Sequence, residues 1–119
     1  MSQITIYHNP RCSKSRQTLA LLEEHKVSPT IVLYLETPPD AEQLKGLLGK
    51  LGMGPRELLR TSEAEYKDMN LGDKSLNDET IIDAMVEAPI LIQRPIVVKG
   101  NKAVLGRPPE NVLDLLTEN

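Results

Sequence analysis

The sequence predicts an α/β fold with a four-stranded mixed sheet, and the order of its hydrophobic segments is the main support. Residues 3–7 and 30–35 have strand patterns and enclose a helical pattern at residues 13–26. Such a βαβ unit pairs its strands in parallel through a right-handed crossover. Near the C-terminus, two apolar strands flank Gly100-Asn101, which predicts an antiparallel hairpin. The predicted order is therefore βαβ, a helical insertion, and ββα. The hairpin strands are predicted at residues 95–99 and 102–105, and the final helix at about residues 110–116.

The insertion, at about residues 40–90, consists of helices whose first residues are good caps. Asp40 and Gln43 match a capping box. Asn77 is a favourable N-cap, and acidic residues follow it in the first turn, where the helix dipole favours them. The predicted helices span residues 40–51, 56–59 after Gly54-Pro55, 63–69 and 78–87.

The hairpin places two arginines in register. Gly100 at the first position of a two-residue turn suits type II′ geometry. If Lys99 opposes Lys102, continued pairing puts Arg94 opposite Arg107. Side chains opposed in this way project to the same side about 5 Å apart, where like charges destabilise the pair. Each arginine also precedes a proline, which favours an extended backbone. We expect an oxyanion between them, because guanidinium groups bind oxyanions in a bidentate manner.

Other roles for these arginines stay open at this point. A single arginine is often a surface residue or the partner of a nearby glutamate. Arg60, at the end of a predicted helix, is a third candidate for anion binding, but it is equally suited to capping helix carbonyls.

Cys12, the only cysteine, lies where a thiol is most reactive. It follows the first strand and opens the first helix, so its sulfur faces free backbone N–H groups and the positive end of the helix dipole. Both favour the thiolate, whereas an ordinary thiol with a pKa of about 8.5 is only roughly 3% ionised at pH 7. An inert core cysteine is the alternative interpretation. The neighbours favour reactivity because they are basic or can become so: His8, Arg11, Lys14 and Arg16.

A single cysteine also restricts the chemistry. A redox cycle that begins at Cys12 needs a second thiol from glutathione, a glutaredoxin-type protein or another protomer. Ser15 stands where a Cys-x-x-Cys motif has its second cysteine, and a hydroxyl can donate to a thiolate but cannot close a disulfide. Arg16 follows Cys12 too closely for a Cys-x5-Arg phosphatase loop. One cysteine and two histidines provide no zinc-like spacing.

Composition excludes several function classes. A chain of 119 residues suits one domain over residues 1–119, and 26% charged residues is ordinary for a globular protein. The net charge of −3 and the lack of a stacking aromatic surface argue against nucleic-acid binding. No apolar run approaches a membrane span, and Met1-Ser2-Gln3 leads into a strand without a signal peptide. These features predict a protein of the reducing cytoplasm with no membrane partner.

Several motifs together resemble the glutaredoxin-dependent arsenate reductase (ArsC) family, over nearly the whole chain. The motifs are His8-Asn9-Pro10-x-Cys12-x-x-Ser15-Arg16, Leu58-Leu59-Arg60, Pro89-Ile90-Leu91-Ile92-x-Arg94-Pro95-Ile96-Val97-Val98 and Arg107-Pro108. The resemblance implies a thioredoxin-like fold with a helical insertion and a cis Arg94–Pro95 bond that faces the cysteine. Residues 11, 13 and 14 are Arg, Ser and Lys, where the best-known members carry smaller or neutral residues. In this respect the chain is more similar to a shorter, housekeeping branch of the family.

The resemblance implies an enzyme that reduces arsenate to arsenite. Cys12 would attack arsenate and form a thioarsenate ester, while His8 and Ser15 would help to keep its sulfur as thiolate. Glutathione would be the co-substrate and glutaredoxin the protein partner, and the resemblance implies no bound cofactor or metal. The oxyanion would be held by three arginines: Arg60, Arg94 and Arg107.

Two other functions are alternatives. An Spx-type regulator has the same fold and binds RNA polymerase, but it typically carries a Cys-x-x-Cys switch, which Ser15 removes. A glutathione-linked thiol transferase without an oxyanion substrate would keep its activity after loss of Arg94 and Arg107.

Overall fold

A computed structural model describes residues 3–116 of the chain. Met1 and Ser2, on which the signal-peptide prediction partly rests, lie outside the described residues, as do residues 117–119. Contacts divide the chain into two compact units, one of Met1–Thr37 with Arg94–Asn119 and one of Pro38–Gln93. The single domain over residues 1–119, with an insertion at about residues 40–90, stays a prediction.

The first unit contains a four-stranded mixed sheet, as the sequence predicts. Its strands are β1 (Ile4–His8), β2 (Thr30–Leu33), β3 (Ile96–Lys99) and β4 (Lys102–Leu105). The order across the sheet is β2-β1-β3-β4. β1 is parallel to β2, whereas the β1–β3 and β3–β4 pairs are antiparallel. The first two strands therefore form the predicted parallel pair, and the last two form the predicted hairpin.

The helical segments follow the predicted order. The α-helices are α1 (Ser13–Glu24), α2 (Ala41–Leu51), α3 (Pro55–Leu58), α4 (Ala64–Asp68), α5 (Asp78–Glu87) and α6 (Leu113–Leu116). Two 3-10 turns span Pro89–Leu91 and Pro109–Val112, the first of which has no counterpart in the predictions. Among the helices of residues 3–116, none has both the length and the apolar character needed to span a bilayer.

The core of the first unit lies between α1 and the sheet. In β1, Ile4 and Ile6 are buried and alternate with partly exposed Thr5 and Tyr7, as expected for a strand with one face on a core. Leu22 of α1 is fully buried against this face. The core residues are Ile4, Ile6, Leu22, Val97, Val112 and Leu115.

The hairpin has the predicted register. Lys99 pairs with Lys102, and pairing continues to Ile96 opposite Leu105. Gly100 has a φ of 60°, whereas the residue after it has no positive φ, which fits a type II′ turn and not type I′.

The second unit is helical, and its capping box forms as predicted. The Asp40 carboxylate accepts a hydrogen bond from Gln43 N at 2.8 Å, and Gln43 Oε1 accepts one from Asp40 N at 3.0 Å. Asn77 caps α5 by accepting a bond from Thr80 N at 3.0 Å. Gly52 ends α2 with a φ of 69°, the left-handed conformation that glycine adopts without strain.

The predicted boundaries of three elements are wrong by more than one residue. α1 ends at Glu24 because Lys26 adopts a φ of 63° and stops the helix. β2 ends at Leu33 because the chain then turns, with Thr37 N bonded to Leu33 O at 2.9 Å. The helix predicted at residues 110–116 is instead a 3-10 turn over Pro109–Val112 that continues as an α-helix only over Leu113–Leu116.

We expect Asp40→Ala to lower the free energy of unfolding by about 1 kcal/mol, because it removes the acceptor of the first turn of α2. Urea denaturation followed by circular dichroism measures the change. Asp83→Ala is the control, since Asp83 is exposed and lies inside α5, where it caps nothing. Its effect should stay within about 0.5 kcal/mol, and equal losses in both variants would contradict the capping role.

Candidate active site

The turn between β1 and α1 is held by a buried asparagine. Asn9 is only 4% exposed. Its backbone oxygen accepts a hydrogen bond from Cys12 N at 3.0 Å, and its side-chain oxygen accepts one from Arg11 N at 3.0 Å. These bonds fix the loop and leave Cys12 as the extended N-cap residue of α1. The thiol therefore begins the helix, as the sequence predicts.

The surroundings of Cys12 lower the pKa of its thiol below the ordinary value. Burial by itself raises this pKa, but several groups that bind the thiolate outweigh it. The backbone N–H groups of Ser15 and Lys14 donate to the sulfur, and the Arg94 guanidinium adds both a hydrogen bond and a positive charge. The direction of the shift agrees with the expectation of a reactive thiol.

Arg94 and Arg107 both lie at the open end of the hairpin, beside Cys12. Arg107 Nη1 is 3.8 Å from Cys12 Sγ and donates to Arg94 O at 3.1 Å. Strand pairing stops before the arginines, but Gly106 N still donates to Pro95 O at 3.0 Å, so the two chain segments stay together. Arg94 has the stronger effect on the thiol, since its charge lowers the pKa, while Arg107 also bonds to the Arg94 backbone.

The peptide bonds after both arginines are cis. The resemblance implies this geometry for Arg94–Pro95, and the structure also has it at Arg107–Pro108, where no prediction was made.

His8 and Ser15 form a buried pair behind the thiol. His8 Nδ1 lies 2.6 Å from Ser15 Oγ, and Asn9 N donates to the same oxygen at 3.0 Å. Burial, followed by the charge of Arg16, lowers the pKa of His8 and favours its neutral form. Ser15 acts on the thiol through its backbone N–H, while its hydroxyl links His8 to the loop. The roles predicted for the two side chains in keeping Cys12 as thiolate stay predictions.

Arg60 belongs to the second unit. Its backbone N–H donates to Leu91 O at 2.7 Å, and its Nη2 lies 3.4 Å from a carboxylate oxygen of Glu63. Its Nη1 is buried and has no hydrogen-bond partner within residues 3–116. A binding role shared with Arg94 and Arg107 stays a prediction.

Thr18 and Gly106 were not predicted to matter, yet they hold the arginine-bearing segment against α1. Thr18 is fully buried, and its hydroxyl lies 2.8 Å from Lys14 O and 3.2 Å from Gly106 O. A Cβ at Gly106 would lie 2.5 Å from Thr18 Oγ1 and 2.8 Å from Pro95 Cγ, closer than such atoms approach. A glycine that follows a strand and precedes Arg107 was the one available signal of a close backbone approach.

Within the described part of the chain, no cluster of three or more His, Cys, Asp or Glu side chains could hold a metal ion.

Comparisons with known proteins agree with the motifs. The ArsC family profile matches residues 7–115. The uncharacterized protein YfgD of Escherichia coli K12 is 58% identical over 115 residues, which is 96% of this chain and 97% of that protein. An arsenate reductase of Escherichia coli is 45% identical over 99% of this chain and 84% of its own length. The solved arsenate reductase of Vibrio cholerae is 51% identical with a TM-score of 0.93, over 95% of this chain and 97% of that one. The likeness confirms the predicted thioredoxin-like fold.

We expect Gly106→Ala to destabilise the protein by about 1–3 kcal/mol, because the new methyl group overlaps Thr18 and Pro95. Denaturant unfolding measures the loss. Gly49→Ala is the matched control, since a Cβ there, in α2, meets nothing within 4 Å. That change should stabilise the protein by about 0.5–1 kcal/mol. A neutral Gly106→Ala would show that the contact is not tight.

We expect Arg94→Gln to raise the pKa of Cys12 more than Arg107→Gln does, because Arg94 supplies the charge that favours the thiolate. The rate of alkylation by iodoacetamide as a function of pH reports the thiolate fraction. The wild-type midpoint should lie below that of an ordinary cysteine and rise in Arg94→Gln. Lys26→Gln, at the other end of α1, should leave it unchanged. A larger shift in Arg107→Gln would reverse the assigned roles.

Proposed function

This chain belongs to the ArsC family, and we propose that it reduces arsenate to arsenite with Cys12 as the nucleophile. The observation that carries the proposal is a thiol with a lowered pKa beside two arginines, with Arg107 Nη1 at 3.8 Å from its sulfur. A nucleophile next to guanidinium groups suits an oxyanion substrate, because the same cations bind the anion and stabilise the charge that the reaction moves.

In the proposed first step, the Cys12 thiolate attacks the arsenic atom of arsenate. An As–S bond forms, and one arsenate oxygen leaves as water after protonation. Arg94 and Arg107 hold the remaining oxygens during this exchange. Without such cations, two anions would repel each other in a partly buried site. Arg60 is the third proposed ligand, and its buried Nη1, which lacks a partner among the described residues, is a suitable donor.

The second step needs thiols from outside the chain, because Cys12 is its only cysteine. A glutathione thiolate then attacks the arsenic atom of this adduct and forms a second As–S bond, and another arsenate oxygen leaves as water after protonation. A glutaredoxin thiol then removes the glutathione as a mixed disulfide, and these two thiols together supply the two electrons that reduce As(V) to As(III). Hydrolysis of the As–S bond releases arsenite and restores Cys12. Glutathione is thus a co-substrate, no bound cofactor is required, and the thiol pool of the cytoplasm is the proposed setting.

His8 and Ser15 have a supporting role in this proposal. The Ser15 hydroxyl ties His8 and Asn9 together and so keeps the first turn of α1 in place. That turn carries the backbone N–H groups that bind the thiolate.

We expect arsenate-dependent oxidation of NADPH in the presence of glutathione, glutaredoxin and glutathione reductase. Cys12→Ser should reduce the rate by at least about 1000-fold, because a hydroxyl cannot replace the thiolate. Ser13→Ala, at the exposed first position of α1, is the matched control and should keep the activity. Inactive wild-type protein, or an active Cys12→Ser variant, would refute the proposal. Reduction of mixed disulfides that survives loss of both Arg94 and Arg107, with no arsenate turnover, would favour the thiol-transferase alternative.

A further inference from the structure

We propose that Arg11 and Lys14, the flanking cations, bind the carboxylates of the small thiol that resolves the Cys12 adduct. The flanking cations would then select a carboxylate-bearing thiol, such as glutathione, over a neutral one. The inference rests on the proposed function for the resolving step. It concerns side chains that have no role in the proposed steps of arsenate binding and reduction.

The charge distribution along the chain is strongly uneven. The whole protein has 17 acidic and 14 basic residues, a net charge of −3. Its first acidic residue, however, is Glu23, and the three cations before it all lie close to Cys12 in sequence. A positive local field therefore surrounds the thiol in an otherwise acidic protein.

The dipole of α1 does not explain why a cation lies in the first turn of this helix. Acidic side chains are favoured in the first turn of a helix, and cations are disfavoured there, because the N-terminus is the positive end of the dipole. The first turn of α1 contains no acidic residue, and Lys14 lies in it. Lys14 is also exposed, so burial of its stem does not account for it.

The flanking cations are available, whereas the other cations of the site are engaged. Arg16 Nη1 donates to Pro10 O at 2.8 Å and so stabilises the loop between β1 and α1. Arg94 acts on the thiol, and Arg107 bonds to the Arg94 backbone. In contrast, the side chains of the flanking cations are exposed and form no hydrogen bond or ion pair with residues 3–116.

The backbones of both flanking cations lie beside the sulfur that the resolving thiol approaches. Arg11 precedes Cys12 directly, and its backbone is fixed by the bond to Asn9 Oδ1. Lys14 is two residues further on, and its own N–H binds the Cys12 sulfur. A thiol that attacks an adduct on this sulfur comes within reach of both long side chains. Glutathione carries a carboxylate on either side of its thiol, so either cation can pair with it.

The test isolates the resolving step from arsenate chemistry. Cys12 is first converted with 2,2′-dithiodipyridine to a mixed disulfide that bears a neutral leaving group. A thiolate then attacks Cys12 Sγ, forms a new disulfide and releases 2-thiopyridone, whose absorbance gives the rate. Glutathione is compared with 2-mercaptoethanol, which has no carboxylate.

In the double variant Arg11→Glu with Lys14→Glu, we expect the glutathione rate to fall about tenfold and the 2-mercaptoethanol rate to change less than about twofold. The difference should shrink as salt is added, because exposed charges are screened. If the reversed charges impair folding, the double variant Arg11→Gln with Lys14→Gln removes both charges without reversing them, and we expect a smaller effect in the same direction. Lys26→Glu is the matched control: it reverses an exposed cation beyond the other end of α1, about 18 Å along the helix, and should change neither rate.

Equal slowing of both thiols, or of neither, would overturn the proposal. A defect seen only with a glutaredoxin as the attacking thiol would also overturn it and would assign the flanking cations to a protein partner. Since the assay contains no arsenate, a protein without arsenate reductase activity can still show the selectivity. Conversely, full arsenate turnover with unselective thiol exchange would leave the proposed function intact and refute this inference alone.

Discussion

The close contact between Thr18 and Gly106 is the constraint on which the arrangement around Cys12 depends. α1 positions the thiol at its first residue, and the hairpin ends in the segments that carry Arg94 and Arg107. Charge interactions weaken with distance and with intervening water, so the effect of Arg94 on the sulfur requires these two elements to pack closely. The absence of a Cβ at Gly106 allows that approach. An uncharged packing contact thereby supports one of the interactions that lower the pKa of Cys12.

The positive charge near the thiol does not come from His8. Burial and Arg16 favour neutral His8, so the histidine adds little charge of its own. The side-chain cations beside the sulfur are instead the guanidinium groups of Arg94 and Arg107. The backbone N–H groups of Lys14 and Ser15 also favour the thiolate.

Much of this arrangement could be predicted because it rests on short-range patterns. The turn at Gly100 sets the hairpin register, and that register alone predicts that Arg94 lies near Arg107. The helix that follows Cys12 is predicted because the hydrophobic pattern changes from that of a strand to that of a helix after β1. Gly106 after β4 signals a close backbone approach but does not identify its partner, Thr18, because a contact between residues far apart in sequence leaves no local pattern there.

The bond between Arg107 and Cys12 joins residues that are 95 positions apart in the chain. Contacts of such long range form only when nearly all of the polypeptide is available, since both ends of a large loop must be brought together. The interaction of Arg94 with Cys12 spans almost as much of the chain. During synthesis, Cys12 therefore leaves the ribosome before Arg94 and Arg107 are available to contact it. The backbone N–H groups of Ser15 and Lys14 favour the thiolate once α1 forms, whereas the contribution of the arginines is added only when the last strands pair. The thiol therefore reaches its full reactivity only in the completed fold.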